Sequence, residues 1–162
     1  MHKHLASQPQ IYMKPVAVNR KAKFEYHISD KFEAGISLLG SEVKSIREGR
    51  INLKDSFVRV VGKELFLFNC HITPYSKIQG HVDIDPTRNR KLLMHRREID
   101  KIVGLVARKG HTCIPLSVYF KRGKAKVEIG IGRGKKEIDK REGIKRRIHN
   151  REAQAAIKKH KG

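Results

Sequence analysis

The run Gly130-Ile131-Gly132-Arg133-Gly134-Lys135-Lys136 invites a phosphate-loop reading, with backbone amides and a lysine cradling a nucleotide. That motif needs a glycine five places before the Gly-Lys pair, where this chain has Ile129, and a Ser or Thr after the lysine, where it has Lys136. The glycines read instead as a hinge between a folded body and a charged tail. Asp83 and Asp85 stand two apart, a spacing that suits a divalent ion, but no third carboxylate follows and Pro86 begins a turn, which Asp85 is expected to cap. His71, His81, His95 and His111 lack HxxxH or HExxH spacing, and no GxSxG occurs. Cys70 and Cys113 belong to no CxxC pair and are expected as buried reduced thiols. These groups assemble no catalytic centre, metal site or cofactor site, so the expectation is a binder and not an enzyme.

The cations give a better account. Lys+Arg number 37 against 16 Asp+Glu, a formal +21 over 162 residues, and a field of that size attracts polyanions. Three clusters stand out: Arg20, Lys21 and Lys23 after Asn19; Arg88, Arg90 and Lys91 in an expected loop before Leu92; and Lys121 to Lys126 in a hairpin. If six to eight such side chains neutralise phosphates, log affinity falls with log salt at a slope of about −4 to −7. Most of the ten Phe and Tyr fall at core-facing positions on this reading, which points to a reader of RNA shape and backbone more than of bases along a single strand. The uncharged apolar runs, such as Leu65 to Phe68 and Val103 to Ala107, are far too short to span a bilayer, and the N-terminus lacks the apolar centre of a secretory signal. The expectation is therefore a cytoplasmic protein without a membrane partner.

The elements that must position these cations follow from periodicity. One domain is expected over 19–132, preceded by a basic arm, 1–18, and followed by a basic tail, 133–162. The tail holds 12 Lys+Arg and 4 Asp+Glu, with Ile138, Ile144, Ile148 and Ile157 too sparse to form a core; it is expected to be disordered when free and helical against a polyanion. Alternation predicts strands over Phe24–Ser29 and Ala34–Leu39. A helix then starts at Gly40-Ser41-Glu42, with Ser41 as cap and Gly49 as stop. Ser56–Val61 and Glu64–Ile72 flank Gly62-Lys63 as a hairpin, and Ile99, Ile102, Val103 and Val106 mark a helix from Arg97 to Lys109. Leu116–Phe120 and Ala125–Ile131, joined by Lys121-Arg122-Gly123-Lys124, make a second hairpin. The sum is a compact, mainly β, antiparallel barrel.

The order of these motifs is familiar. From Asn19 to about Ile148 the chain resembles small protein B, the family of SsrA-binding proteins that partner transfer-messenger RNA in bacterial ribosome rescue. The resemblance is carried by NRKAKFEYHI, DKFEAGISLLGSEVKSIREGRINLKDSFV, LFNCHITPY, HVDIDPTRNRKLLMHRREID, IPLSVYFKRGKAKVEIGIGRGKK and DKR, in that order. It implies a six-stranded antiparallel oligonucleotide-binding (OB-like) barrel with about three short helices and a basic C-terminal tail. It also implies a non-enzymatic role: binding the tRNA-like domain of transfer-messenger RNA (tmRNA, SsrA RNA) and helping deliver its alanyl form, with elongation factor Tu, to stalled ribosomes.

Carried over residue by residue, RNA contact is expected at Asn19, Arg20, Lys21, Lys23, Glu33, Lys91, Leu93 and Lys126. The tail would enter the empty mRNA channel of the small subunit, beside 16S rRNA, with Gly134, Lys135, Lys136, Ile138, Asp139, Lys140 and Arg141 near the decoding centre. The family usually has His or Tyr before Asp-Lys-Arg; Ile138 can neither stack as an aromatic nor donate a hydrogen bond. Two rival readings make different predictions. A ribosomal or translation-factor barrel protein bound to rRNA would co-purify with ribosomes regardless of stalling. An RNA-processing enzyme would cleave with a metal and fail on changing Asp83 or Asp85.

Overall fold

A computed structural model describes residues 14–75 and 83–160. The short strand β1, Ala17–Val18, leads into helix α1, Arg20–Glu25. The helix starts because the Asn19 carboxamide oxygen accepts the Ala22 N–H at 3.1 Å, a side-chain cap. Strand β2 then runs unbroken over Tyr26–Ile36. The two strands expected over Phe24–Ser29 and Ala34–Leu39 are thus one strand, and Phe24 lies in a helix instead. The polar run Ser29-Asp30-Lys31 separates the two in the sequence; there a bulge between Ile28 and Asp30 switches the face, so Tyr26 and Ile28 meet one core while Ala34 and Ile36 meet the other.

Helix α2, Gly40–Arg47, begins at Leu39 and not at a Ser41 cap; the Glu42 carboxylate reaches back to the Leu39 N–H at 2.9 Å. Gly49 stops it as expected, at φ +75°. Strand β3, Ile51–Asn52, pairs with β6, His71–Ile72, as a separate ribbon. Between them β4, Phe57–Val61, and β5, Glu64–Phe68, form the hairpin expected about Gly62-Lys63, but its second strand ends at Phe68 and not at Ile72. Strand β7, Arg90–Leu93, replaces the expected basic loop, and helix α3, Arg96–Val106, follows it. Strands β8, His111–Lys121, and β9, Lys124–Gly134, are longer than predicted. Their turn is Arg122-Gly123 alone, with both residues at positive φ (51° and 74°), the geometry a twisted two-residue hairpin requires.

The pairings run in a ring: β8 with β4, β4 with β5, β5 with β7, β7 with β2, β2 with β9 and β9 again with β8, with β1 beside β8. The contact between β4 and β8 is a single pair, Val58 with Cys113. The fold is therefore mainly β, a large antiparallel sheet, with four helices among the described residues where about three were expected. Leu65, Leu67, Leu92, Val118, Val127, Ile129 and Ile131 fill its interior, and Ile46 of α2 and Ile102 of α3 close the ends. A second, smaller core lies outside the sheet, where Ala22 of α1 meets Ile114, Leu116, Tyr26 and Ile28.

That outer core explains the glycines. Gly130 and Gly132 are no hinge; they lie inside β9 under the second core. A Cβ on Gly130 would come within 2.8 Å of Leu116 Cδ1, and one on Gly132 within 2.9 Å of Ile28 Cδ1. Asp85 caps its turn as expected, accepting from the Thr87 N–H at 2.9 Å and its hydroxyl at 3.0 Å. Cys70 and Cys113 are free and buried, and burial pushes their thiols up to about 11 and about 12. Among the described residues no three His, Cys, Asp or Glu side chains gather as a metal site, and no helix is long and apolar enough to cross a membrane. His81 and residues 1–13 of the expected arm lie outside the described residues.

Candidate nucleic-acid interface

Register gathers part of the expected site on the outer face of the sheet. Leu93 on β7 stands opposite Gly35 on β2, Gly35 opposite Lys126 on β9, and Lys126 opposite Tyr119 on β8. Residues in register share a face, so Leu93, Lys126 and Tyr119 form one row across four strands. Leu93 is 53 % exposed, large for a leucine in a strand. Gly35 keeps the row flat, since its open Cα lies against Leu93, whose Cβ would sit 3.3 Å from any added methyl group.

Glu33 projects from the same face two residues before Gly35 and is held on several sides. The Tyr119 hydroxyl donates to its Oε2, and the Lys121 ammonium lies 3.3 and 3.4 Å from its two oxygens. Partial burial acts to raise its pKa, but the hydrogen bonds from Tyr119 and Lys121 and the positive charge of Lys126 outweigh that, keeping the carboxyl below its usual range. It is therefore a fixed anion in a cationic surface. Burial and the bond to Glu33 push the Tyr119 phenol upward, so it stays a donor at neutral pH. Tyr119 was absent from the residues expected at the site. The signal was available in the alternation of the last hairpin, which sends Val118 inward and Tyr119 outward.

The α1 cluster presents a different picture. Asn19 is 5 % exposed, and both ends of its carboxamide are used within the protein, the nitrogen donating to the Pro115 carbonyl at 3.0 Å. Its place is structural: it fixes the start of α1 and so aims Arg20, Lys21 and Lys23, all exposed. Lys21 pairs with Asp55 at 2.8 Å, a bond that raises the lysine and lowers the carboxyl.

The β7 cluster divides sharply. Arg90, expected to line a loop, is fully buried; it bonds Glu42 at 2.7 Å, the Cys70 carbonyl at 2.7 Å and the Pro86 carbonyl at 3.0 Å. Arg88, partly exposed, also binds Glu42 through Nε at 3.2 Å. Burial works to raise the Glu42 pKa, and the bonds from Arg88, the Leu39 N–H and Arg90 together lower it. This buried network ties α2 to the strand that carries the site. Lys91 does face outward, paired with Glu64 at 2.7 Å.

The basic tail is helix α4, Glu137–His160, in which no residue is buried. Ile138 is 69 % exposed. Its start lies against α1 and β2: the Lys135 N–H donates to the Glu25 carbonyl at 2.7 Å, Lys135 Nζ approaches the Lys23 carbonyl at 3.4 Å, Asp139 lies 3.5 Å from His27, and Arg147 sits 5.3 Å over the Phe24 ring. Gly134, Lys136, Lys140 and Arg141 lie at this same junction and first turn, Gly134 with open space about its Cα.

Known proteins are similar to this chain over most of its length. The family model described as SmpB protein matches residues 16–159. The chain is 54 % identical over 144 residues to the SsrA-binding protein of Chloroflexus aurantiacus, covering 89 % of this chain and 90 % of that one. It is 53 % identical over 147 residues to the SsrA-binding protein of Caldanaerobacter subterraneus, covering 90 % and 92 %. A chain from a solved structure described as "tmRNA-SmpB: a journey to the center of the bacterial ribosome" matches with a TM-score of 0.63 at 46 % identity, over 74 % of this chain and 84 % of that chain.

Proposed function

The chain belongs to the SmpB protein family, and from that premise we propose that it binds the tRNA-like domain of tmRNA and accompanies it to stalled ribosomes in the bacterial cytoplasm. On this reading the sheet is an oligonucleotide-binding barrel that acts by recognition, without catalysis. The observation that carries it is the outer row of Leu93, Lys126 and Tyr119 beside the fixed anion Glu33. A wholly basic surface would attract any phosphate backbone equally. A carboxylate locked among cations at neutral pH can accept hydrogen bonds from base amino or ribose hydroxyl groups and repels misplaced phosphates, so it favours one docked RNA shape. Arg20, Lys21 and Lys23, aimed by Asn19, extend the cationic contact.

The tail would follow its own route. Twelve Lys+Arg against 4 Asp+Glu from residue 133 onward suit a channel walled by rRNA, and the four exposed isoleucines of a helix with no buried residue are open to a partner. In that role it occupies the mRNA path left empty by a truncated message, while delivery proceeds with elongation factor Tu. Ile138 would pack there by apolar contact alone.

The test uses the full chain and a transcribed tRNA-like domain in a filter-binding assay. Glu33→Ala with Lys126→Ala should weaken binding while the thermal midpoint stays in place; unchanged affinity would remove this face from the interface. Deleting residues 135–162 should leave that affinity nearly intact and abolish tagging of stalled chains, and a truncated protein that still tags would refute the channel role.

A further inference from the structure

Three phenylalanines on β4 and β5 are left without a core. Val58, Leu65 and Leu67 point inward, 4, 0 and 1 % exposed, so the alternate residues Phe57, Phe66 and Phe68 face outward with Arg59. All three rings are half-buried, and they pack against neither apolar cluster. This differs from the expectation that the aromatics mostly face the core. The Phe57 and Phe68 rings lie parallel within 1° at 5.3 Å, and the Arg59 guanidinium sits 5.0 Å over Phe57. Phe66 stands in register between Arg59 on β4 and Lys91 on β7. An aromatic flanked by a cation on each neighbouring strand thus adjoins the strand that carries Leu93.

This face has open ground on both sides. A cleft of about 240 Å³ beside Phe57 reaches Lys21, and one of about 340 Å³ beyond Lys91 is lined by Leu93 and Arg96. A second copy of the chain is a poor occupant, because each carries a formal +21 and the face itself is basic. Flat apolar rings between cations match a ligand that is itself flat, apolar and flanked by negative charge, which describes an unpaired nucleotide.

We propose that the outer face of the β4–β5 hairpin is a second RNA contact, which stacks an unpaired nucleobase on Phe66 and the Phe57–Phe68 pair while Arg59 and Lys91 meet the adjoining phosphates. The proposal rests on the reading of the chain as an RNA binder and adds to it a base-stacking surface continuous, through β7, with the Leu93 row. Lys91 would exchange its Glu64 partner for phosphate.

The test measures fluorescence anisotropy of the full chain with a labelled octauridine and with an abasic strand of the same backbone. The parent should hold octauridine more tightly than the abasic strand. Phe66→Leu, which keeps an apolar side chain and removes the flat ring, should lose roughly five- to a hundredfold on octauridine and nothing on the abasic strand. Equal loss on both strands, or none on either, would overturn the proposal. Photo-crosslinking of the unaltered protein with 4-thiouridine RNA provides a check independent of mutant folding: adducts should map to the segment from Phe57 to Phe68, and adducts only elsewhere would count against it. The folded tRNA-like domain serves as a parallel probe. If the parent fails to bind that RNA, the functional reading falls; if it binds, and Phe66→Leu keeps full affinity for octauridine, only the stacking face is lost.

Discussion

Replacing Glu42 by alanine should damage the protein more than any surface charge change. Glu42 is 4 % exposed and is the carboxylate that faces Arg90, itself 0 % exposed, and Arg88. Without it Arg90 keeps the Cys70 and Pro86 carbonyls as acceptors but loses its directly paired carboxylate. Stranding one member of a buried ion pair costs about 3–5 kcal/mol, against a total stability of about 5–15 kcal/mol for a domain of this kind. With a urea slope of about 2 kcal/mol/M, the unfolding midpoint should fall by roughly 2 M.

The same carboxyl sets a pH signature. Its folded pKa lies below the unfolded value of about 4.3, so its contribution is present above that value and fades as the pH falls through the folded one. The gap between parent and Glu42→Ala should therefore narrow as the pH falls below about 4.3 and through the lower folded value. Pairing Glu42→Ala with Arg90→Met should recover much of the loss, because the uncompensated charge goes as well. Urea titrations of the parent, Glu42→Ala, Arg90→Met and the double variant at several pH values decide the matter. A single variant within about 1 kcal/mol of the parent, or a gap that does not change with pH, would refute the reasoning.

Three further predictions follow from packing. Gly132→Ala forces a methyl group against Ile28, Tyr26 Cβ and the His27 carbonyl, at 2.9, 3.1 and 3.3 Å, and should cost about 1–3 kcal/mol in a thermal or urea melt; a neutral result would mean that the second core yields freely. Asn19→Ala removes the α1 cap and the bond to Pro115, for about 1–3 kcal/mol, and should also weaken RNA binding by unfixing Arg20 and Lys23; calorimetry with filter binding separates the two effects. Cys70 and Cys113, with thiols raised to about 11 and about 12, should resist iodoacetamide at pH 8 until the chain unfolds, whereas rapid native-state alkylation, read by mass spectrometry, would contradict their burial.

The parts of the fold that were legible in the sequence rest on local signals. The β4–β5 hairpin follows from Gly62-Lys63 between alternating runs, and α3 from apolar residues at helical spacing, although it ends at Val106 and not at the expected Lys109. What escaped depends on partners distant in the chain. Strand β7 is four residues long and carries a buried arginine, so nothing in Arg90–Leu93 taken alone distinguishes a strand from a basic loop; Glu42 and the Cys70 and Pro86 carbonyls, all outside the strand, make its burial tolerable. The β2 bulge and the second core hid α1, because Tyr26 and Ile28 are apolar toward the outside of the sheet.

At the site, the resemblance supplied Glu33, Leu93 and Lys126, and register joined Leu93 and Lys126 in one row. Tyr119 was within reach of the alternation of the last hairpin, whereas the outward phenylalanines became visible only once strand faces were fixed, since period two reveals alternation but not which face is wet.

The most direct measurement is a backbone amide NMR titration of the full chain with the folded tRNA-like domain. The largest shifts should fall on Glu33, Gly35, Leu93, Tyr119 and Lys126, and be lost together in the Glu33→Ala, Lys126→Ala variant. Shifts gathered on α3 or on the exposed length of α4, with that outer row silent, would contradict this.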